Sequence, residues 1–298
     1  MIIYDPKNWL RPFVDAPRSA AFRWLALSVV VAGAWAWLVA WLSLDVLRLP
    51  TPFGSSILTV LGTILGLLLV FRTNTAYDRW WEGRRLWGQL LNTTRAFSHH
   101  LDGLLAAHAP TDGDTGHRDD ALRARRERYA ALLGEFASAL VAHLRRPRRA
   151  PGAAPGASGT EGRAPNAIVR ELVRGVHADV AAGVLPREAT VALSPLLSAL
   201  DDVTGGCERI RNTPIPASYG AYLKFFVLLY TIALPFGLVR DFGYGAVPAT
   251  MLVLFATVGV ELLAEEVESP FGTDPNDLPI DELAARAAAD ARELLASR

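Results

Sequence analysis

Charged residues are absent from four stretches of the chain, 24–44, 49–71, 225–239 and 242–260, which run to 21, 23, 15 and 19 positions. An apolar helix near 20 residues matches the ~30 Å hydrocarbon core of a bilayer at about 1.5 Å of rise per residue. The third stretch alone would reach only ~22 Å, so its span is expected to begin before Lys224, within the uncharged residues 212–223. The pattern predicts four transmembrane helices over 24–44, 53–71, 220–239 and 242–262. A very apolar soluble helical core is the alternative, and buried soluble helices rarely lack polar residues for so long. A signal peptide at the first stretch fits poorly: it is too long, no small-residue cleavage site follows, and a second apolar run comes at once.

Between the second and third stretches the pattern changes. Residues 72–215 are rich in Ala, Leu, Arg and Glu without sustained alternation, which predicts a helical region. Trp80, Arg84, Trp87 and Leu91 recur at three- and four-residue spacing. Residues 145–165 are crowded with Pro, Gly and Ala and hold one acid, so a disordered loop is expected there. Lysine and arginine give the orientation. Lys7, Arg11, Arg18 and Arg23 precede the first span, one arginine (Arg48) joins the first pair of spans and one (Arg240) the second. Residues 72–222 hold 20 of the 30 basic side chains. Both termini and the long middle are therefore expected in the cytoplasm, in an inner (cell) membrane protein that crosses several times.

Composition narrows the chemistry. Thirty basic residues balance thirty acidic ones, which argues against a broad basic surface for nucleic acid. A single cysteine, Cys207, excludes an internal disulfide and any multi-cysteine metal site. No hydrolase elbow, phosphate loop or HExxH is present, and the six histidines are scattered, so neither an enzyme nor a cofactor is expected. Glu265, Glu266 and Glu268 follow the fourth stretch and read as a solvated helix end. Glu261 lies nearer the membrane, where a carboxylate should pair or face water. In the second stretch Gly62 and Gly66 form a small-xxx-small pattern, which lets helices approach closely. Thr63, Leu67 and Phe71 recur every four residues on an adjacent face, a pattern that ordinary helix packing also produces.

Three ordered blocks resemble the bestrophin family. Residues 71–92, FRTNTAYDRWWEGRRLWGQLLN, carry the core Arg79-Trp80-Trp81; residues 207–226 carry Pro214-Ile215-Pro216 ahead of the third span; residues 259–281 carry Ser269-Pro270-Phe271-Gly272. The opening MIIYDPKNWL is like that of bacterial members. The resemblance implies an all-α, polytopic membrane protein, a single bestrophin-type channel domain over 1–298, assembled as a homopentamer around a central pore. It implies a hydrophobic neck lined by Thr63, Leu67 and Phe71, with Thr63 a more polar ring than the family's usual residue. It implies a second, cytoplasmic aperture, which falls on Val191 by ungapped counting, or on Leu193 as the nearest alternative. The calcium clasp of animal members is reduced here to Asp274 and Asp277, with Asp277 the residual position, so no metal is expected. The function so implied is passive conduction of small monovalent ions, leaning to anions such as chloride. A sodium or potassium channel of the same fold is the alternative, and a secondary transporter the alternative of another class. The partners expected are further copies of the chain, membrane lipid and small monovalent ions, with no nucleic acid.

Overall fold

The computed structural model describes residues 20–46, 55–108, 115–147 and 163–296, and these are helical with no strand among them. The opening block 1–10, Lys7, Arg11, Arg18 and most of the 145–165 loop lie outside the described residues. Eight α-helices follow in chain order: α1 (Ala20–Trp41), α2 (Ser55–Ala107), α3 (Thr115–Arg145), α4 (Pro165–Ala181), α5 (Glu188–Asn212), α6 (Ala217–Phe242), α7 (Ala246–Glu268) and α8 (Ile280–Ala296). The four charge-free stretches fall on α1, the first half of α2, α6 and α7. Prolines 50, 52 and 110 bracket α2 and none lies within it, so its 53 residues run unbroken.

Two compact units share the chain. The first holds α1, the apolar half of α2, α6 and α7. Leu65 and Leu69 of α2 pack on Leu223 and Val227 of α6, with Val258 of α7 beside them. Val39 and Ala40 of α1 pack on Val239 of α6 and Ala246 of α7. Contacts this apolar bring no solvent-driven gain between helices inside lipid, so close fit and polar links matter more there. Gly62 illustrates the fit, since a β-carbon there would stand 2.6 Å from the Tyr230 hydroxyl. Gly66, its partner in the small-residue pattern, meets nothing within 4 Å, so among the described residues only one glycine of the pair serves packing within the chain. The α6–α7 turn needs Gly243, whose φ of +54° suits a residue without a β-carbon. The Tyr244 hydroxyl in that turn donates to Asp45, in the π-helical turn Leu42–Val46 that closes α1. Pro235 sits inside α6 and the helix continues through it.

The second unit holds the rest of α2 with α3, α4, α5 and α8. Trp87, Phe97, Leu101, Tyr129 and Phe136 fill its core with no exposed surface. Alanines 284, 287, 288 and 291 form the buried face of α8. They let α3 come so close that a β-carbon on Gly134 would lie 2.9 Å from that of Ala288. The Tyr129 hydroxyl donates to Asp179 at 2.7 Å, and Arg125 Nε donates to the other carboxylate oxygen at 3.1 Å. Those bonds satisfy the polar groups that α3 and α4 bury against each other.

Candidate functional site

The two faces of α2 differ sharply. Leu58, Leu65, Leu69, Arg72 and Ala76 are buried, at spacings that keep them on one side. Thr63, Leu67 and Phe71 each lie two positions from one of these, about 200° around the helix, and all three are exposed. Leu67 is 55% and Phe71 54% exposed, a large apolar surface that the chain itself leaves uncovered. Four residues advance about 6 Å along the axis, so the three form a stripe about 12 Å long. The Thr63 hydroxyl donates to the Thr59 carbonyl at 2.9 Å, and the Thr75 hydroxyl to the Phe71 carbonyl at 2.9 Å. The Thr63 proton is thereby spent inside the helix, which makes that position less polar than its residue type suggests.

One residue beyond Phe71 the chain turns polar on the opposite face. Arg72 Nη2 donates to Glu268 Oε2 at 2.7 Å, and its Nε lies 3.7 Å from Glu261 Oε2. The three side chains are 5%, 16% and 7% exposed. Glu268 also accepts from the Ile215 N–H at 3.1 Å, and its carbonyl accepts from Arg79 Nε at 3.1 Å. Nearby, Lys224 pairs with Glu265 at 3.1 Å, and the Asn276 amide donates to Glu266 at 2.6 Å. Trp80 Nε1 donates to the Asn276 carbonyl at 3.1 Å. Glu261 thus stands within ion-pair range of Arg72, with no hydrogen bond between them among the described residues. Of the three acids after the fourth stretch, Glu268 departs from the expected solvated helix end, being 16% exposed and bonded to Arg72 and the Ile215 N–H, whereas Glu265 is half exposed beside Lys224 as expected and Glu266 accepts from Asn276. Arg72 was missed, although a cation closing the second apolar stretch and an anion closing the fourth were a readable signal. The partnered belt borders a cavity of about 330 Å³ under the first turns of α6.

In the second unit, Val191 near the start of α5 is 76% exposed, while Leu193 is fully buried with Leu197 and Leu200. Pro195 lies inside α5 and supplies no N–H to the Val191 carbonyl four residues earlier. Cys207 is buried on the same helix, and burial first, then the nearby Glu82 and Glu208, pushes its thiol up to about 12. Asp277 is 2% exposed, Asp274 is exposed and Asn276 is committed to Glu266 and Trp80. Calcium takes about six to eight converging oxygens, and this donor set does not fit it. Among the described residues, no three His, Cys, Asp or Glu side chains group so as to hold a metal.

These features define a helical membrane protein with a long apolar stripe on one helix and a charged belt at its end. The family model described as "Bacterial/Fungal Bestrophin protein" matches residues 1–293. The chain belongs to that bestrophin family. It is 33% identical over 264 residues to a voltage-dependent anion channel-forming protein of Ralstonia nicotianae, covering 86% of this chain and 81% of the relative. It is 29% identical over 291 residues to the voltage-dependent anion channel-forming protein YneE of Escherichia coli, covering 94% and 90%. The crystal structure of a bacterial bestrophin homologue from Klebsiella pneumoniae superposes with a TM-score of 0.76 at 25% identity, over 91% of this chain and 98% of that one.

Proposed function

We propose that the chain forms a channel passing small monovalent anions, chloride foremost, through a pore on the axis of a homopentamer in the cell membrane. One observation carries the reading: α2 leaves an uncharged stripe, Thr63, Leu67 and Phe71, exposed opposite the face it buries. Five copies around an axis need only one narrow stripe from each helix, and Thr63, Leu67 and Phe71 can supply it from a broader open face that also holds Val60, Ile64 and Val70. The anionic preference is supported by relatives named as anion channel-forming proteins and by the weakly positive edge of the Phe71 ring. A neck of this kind holds no ion tightly; it passes partly hydrated ions when wet and blocks them when dry.

Four crossings by α1, the first part of α2, α6 and α7, with both termini in the cytoplasm, agree with the arginine and lysine distribution. Val191 suits a second, cytoplasmic constriction, because its side chain is open to solvent whereas Leu193 belongs to the core. A monovalent cation channel is the second reading. It is favoured by the Val191 carbonyl, which Pro195 leaves without its helical donor and which offers oxygen to a cation. A transporter is disfavoured by the continuity of α6 through Pro235 and the pairing of Glu261 with Arg72, which together remove the broken helix and the lone mid-membrane charge. Planar-bilayer recording of the purified protein tests the proposal. Stable single-channel currents that Leu67→Ala and Phe71→Ala change support it, and the absence of currents alongside coupled uptake refutes it.

A further inference from the structure

The cavity at the end of the charged belt is left with unused bonding capacity. Arg72 and Glu261 both line it and are 4% and 5% exposed. Arg72 Nε and Nη1 and both Glu261 carboxylate oxygens have no hydrogen-bond partner among the described residues. Leaving such charged groups unbonded is costly, so they call for an occupant that both donates and accepts. Small residues of α6, Ala217, Gly220 and Ala221, line the cavity as well. A β-carbon on Gly220 would meet nothing within 4 Å. Space is thus kept open beside the first turn of α6, whose N-terminus no side chain caps. That end carries a partial positive charge suited to an anionic group.

We propose that this cavity binds a compact zwitterion of the phosphoethanolamine class, supplied by a membrane phospholipid headgroup. The ammonium would donate to the two Glu261 oxygens, neither of which has a hydrogen bond among the described residues. The phosphate would face Arg72 Nε and Nη1, the α6 N-terminus and Lys224. Among the described residues Lys224 is paired with Glu265, with side chains 54% and 52% exposed, so it turns to a phosphate at little cost. Glu261, Glu265 and Glu268 outnumber Arg72 and Lys224 by one, which opposes a purely anionic headgroup. The tails have a path as well. Beyond Lys224 the same face of α6 continues with Phe225, Leu228 and Ile232, which are 63%, 56% and 44% exposed. The site makes no use of conduction, so it stands or falls apart from the pore.

The test uses the full-length, delipidated protein and its thermal unfolding midpoint with phosphatidylethanolamine, phosphatidylglycerol or phosphatidylcholine added in turn. The primary ammonium can donate to Glu261, whereas a trimethylated one cannot. The expected result is a larger upward shift with phosphatidylethanolamine than with the other two. Gly220→Leu fills the cavity while improving helix propensity, and it should abolish the preference without unfolding the protein. Glu261→Gln should weaken it. Soluble phosphoethanolamine identifies the source: no shift at matched concentration supports the lipid, and an equal shift overturns the lipid assignment. Equal response to the three lipids, or a preference that survives Gly220→Leu, overturns the site itself.

Discussion

Replacing Arg72 with methionine keeps most of the side-chain volume and removes the charge that holds two carboxylates. Its guanidinium donates to Glu268 at 2.7 Å and stands 3.7 Å from Glu261, with all three side chains at least four-fifths buried. Removing one member of a buried charge network leaves the others uncompensated, which typically costs about 3–5 kcal/mol. Most of that cost comes from stranded negative charge and little from lost attraction. The triple variant Arg72→Met/Glu261→Gln/Glu268→Gln should therefore recover most of the loss, because nothing charged remains to be desolvated. Arg72→Lys should fall between, keeping the charge without the fork that reaches both partners. The assay is the fraction of monodisperse protein left after a heating series in detergent, read by fluorescence-detected size exclusion for wild type and each variant. A midpoint for Arg72→Met equal to that of wild type, or a triple variant no better than the single one, would refute the reasoning.

Leu67→Ala and Phe71→Ala should alter conductance or ion selectivity while the oligomer stays intact, because both side chains are exposed and support no core in the subunit. Val191→Ala should change conductance with little effect on stability, whereas Leu193→Ala should destabilise by about 2–5 kcal/mol, as for a buried leucine; currents altered by the second alone would move the aperture. The Cys207 thiol, pushed up to about 12 chiefly by burial, should resist maleimide at pH 8 until the protein is unfolded. Rapid labelling of the native protein would contradict its place in the core.

The helical class and the four apolar segments were legible because a bilayer demands long uncharged stretches, and such stretches leave a plain mark. The Thr63, Leu67 and Phe71 stripe was visible as a period of four, yet periodicity alone did not separate a pore face from packing. The buried Leu65, Leu69 and Arg72 mark the side of α2 that packs, and the stripe lies outside it. The belt was the least legible part. Glu261 announced that it needed a partner, but Arg72 lies far from it in sequence and meets it only through the packing of α2 beside α6 and α7. Glu268 read as part of a solvated helix end because its partners, Arg72 and the Ile215 N–H, are distant in sequence and local pattern does not show them. Gly62 and Gly66 looked equivalent by spacing, while only Gly62 faces a neighbour, the Tyr230 ring.

Whether α2 lines an anion-conducting pore is tested most directly by the reversal potential of the purified protein in a planar bilayer under asymmetric potassium chloride. The expected reversal lies near the chloride equilibrium potential, displaced or accompanied by a changed conductance in Phe71→Ala. Reversal near the potassium equilibrium potential would contradict the anion assignment, and currents identical in wild type and Phe71→Ala would take α2 out of the pore.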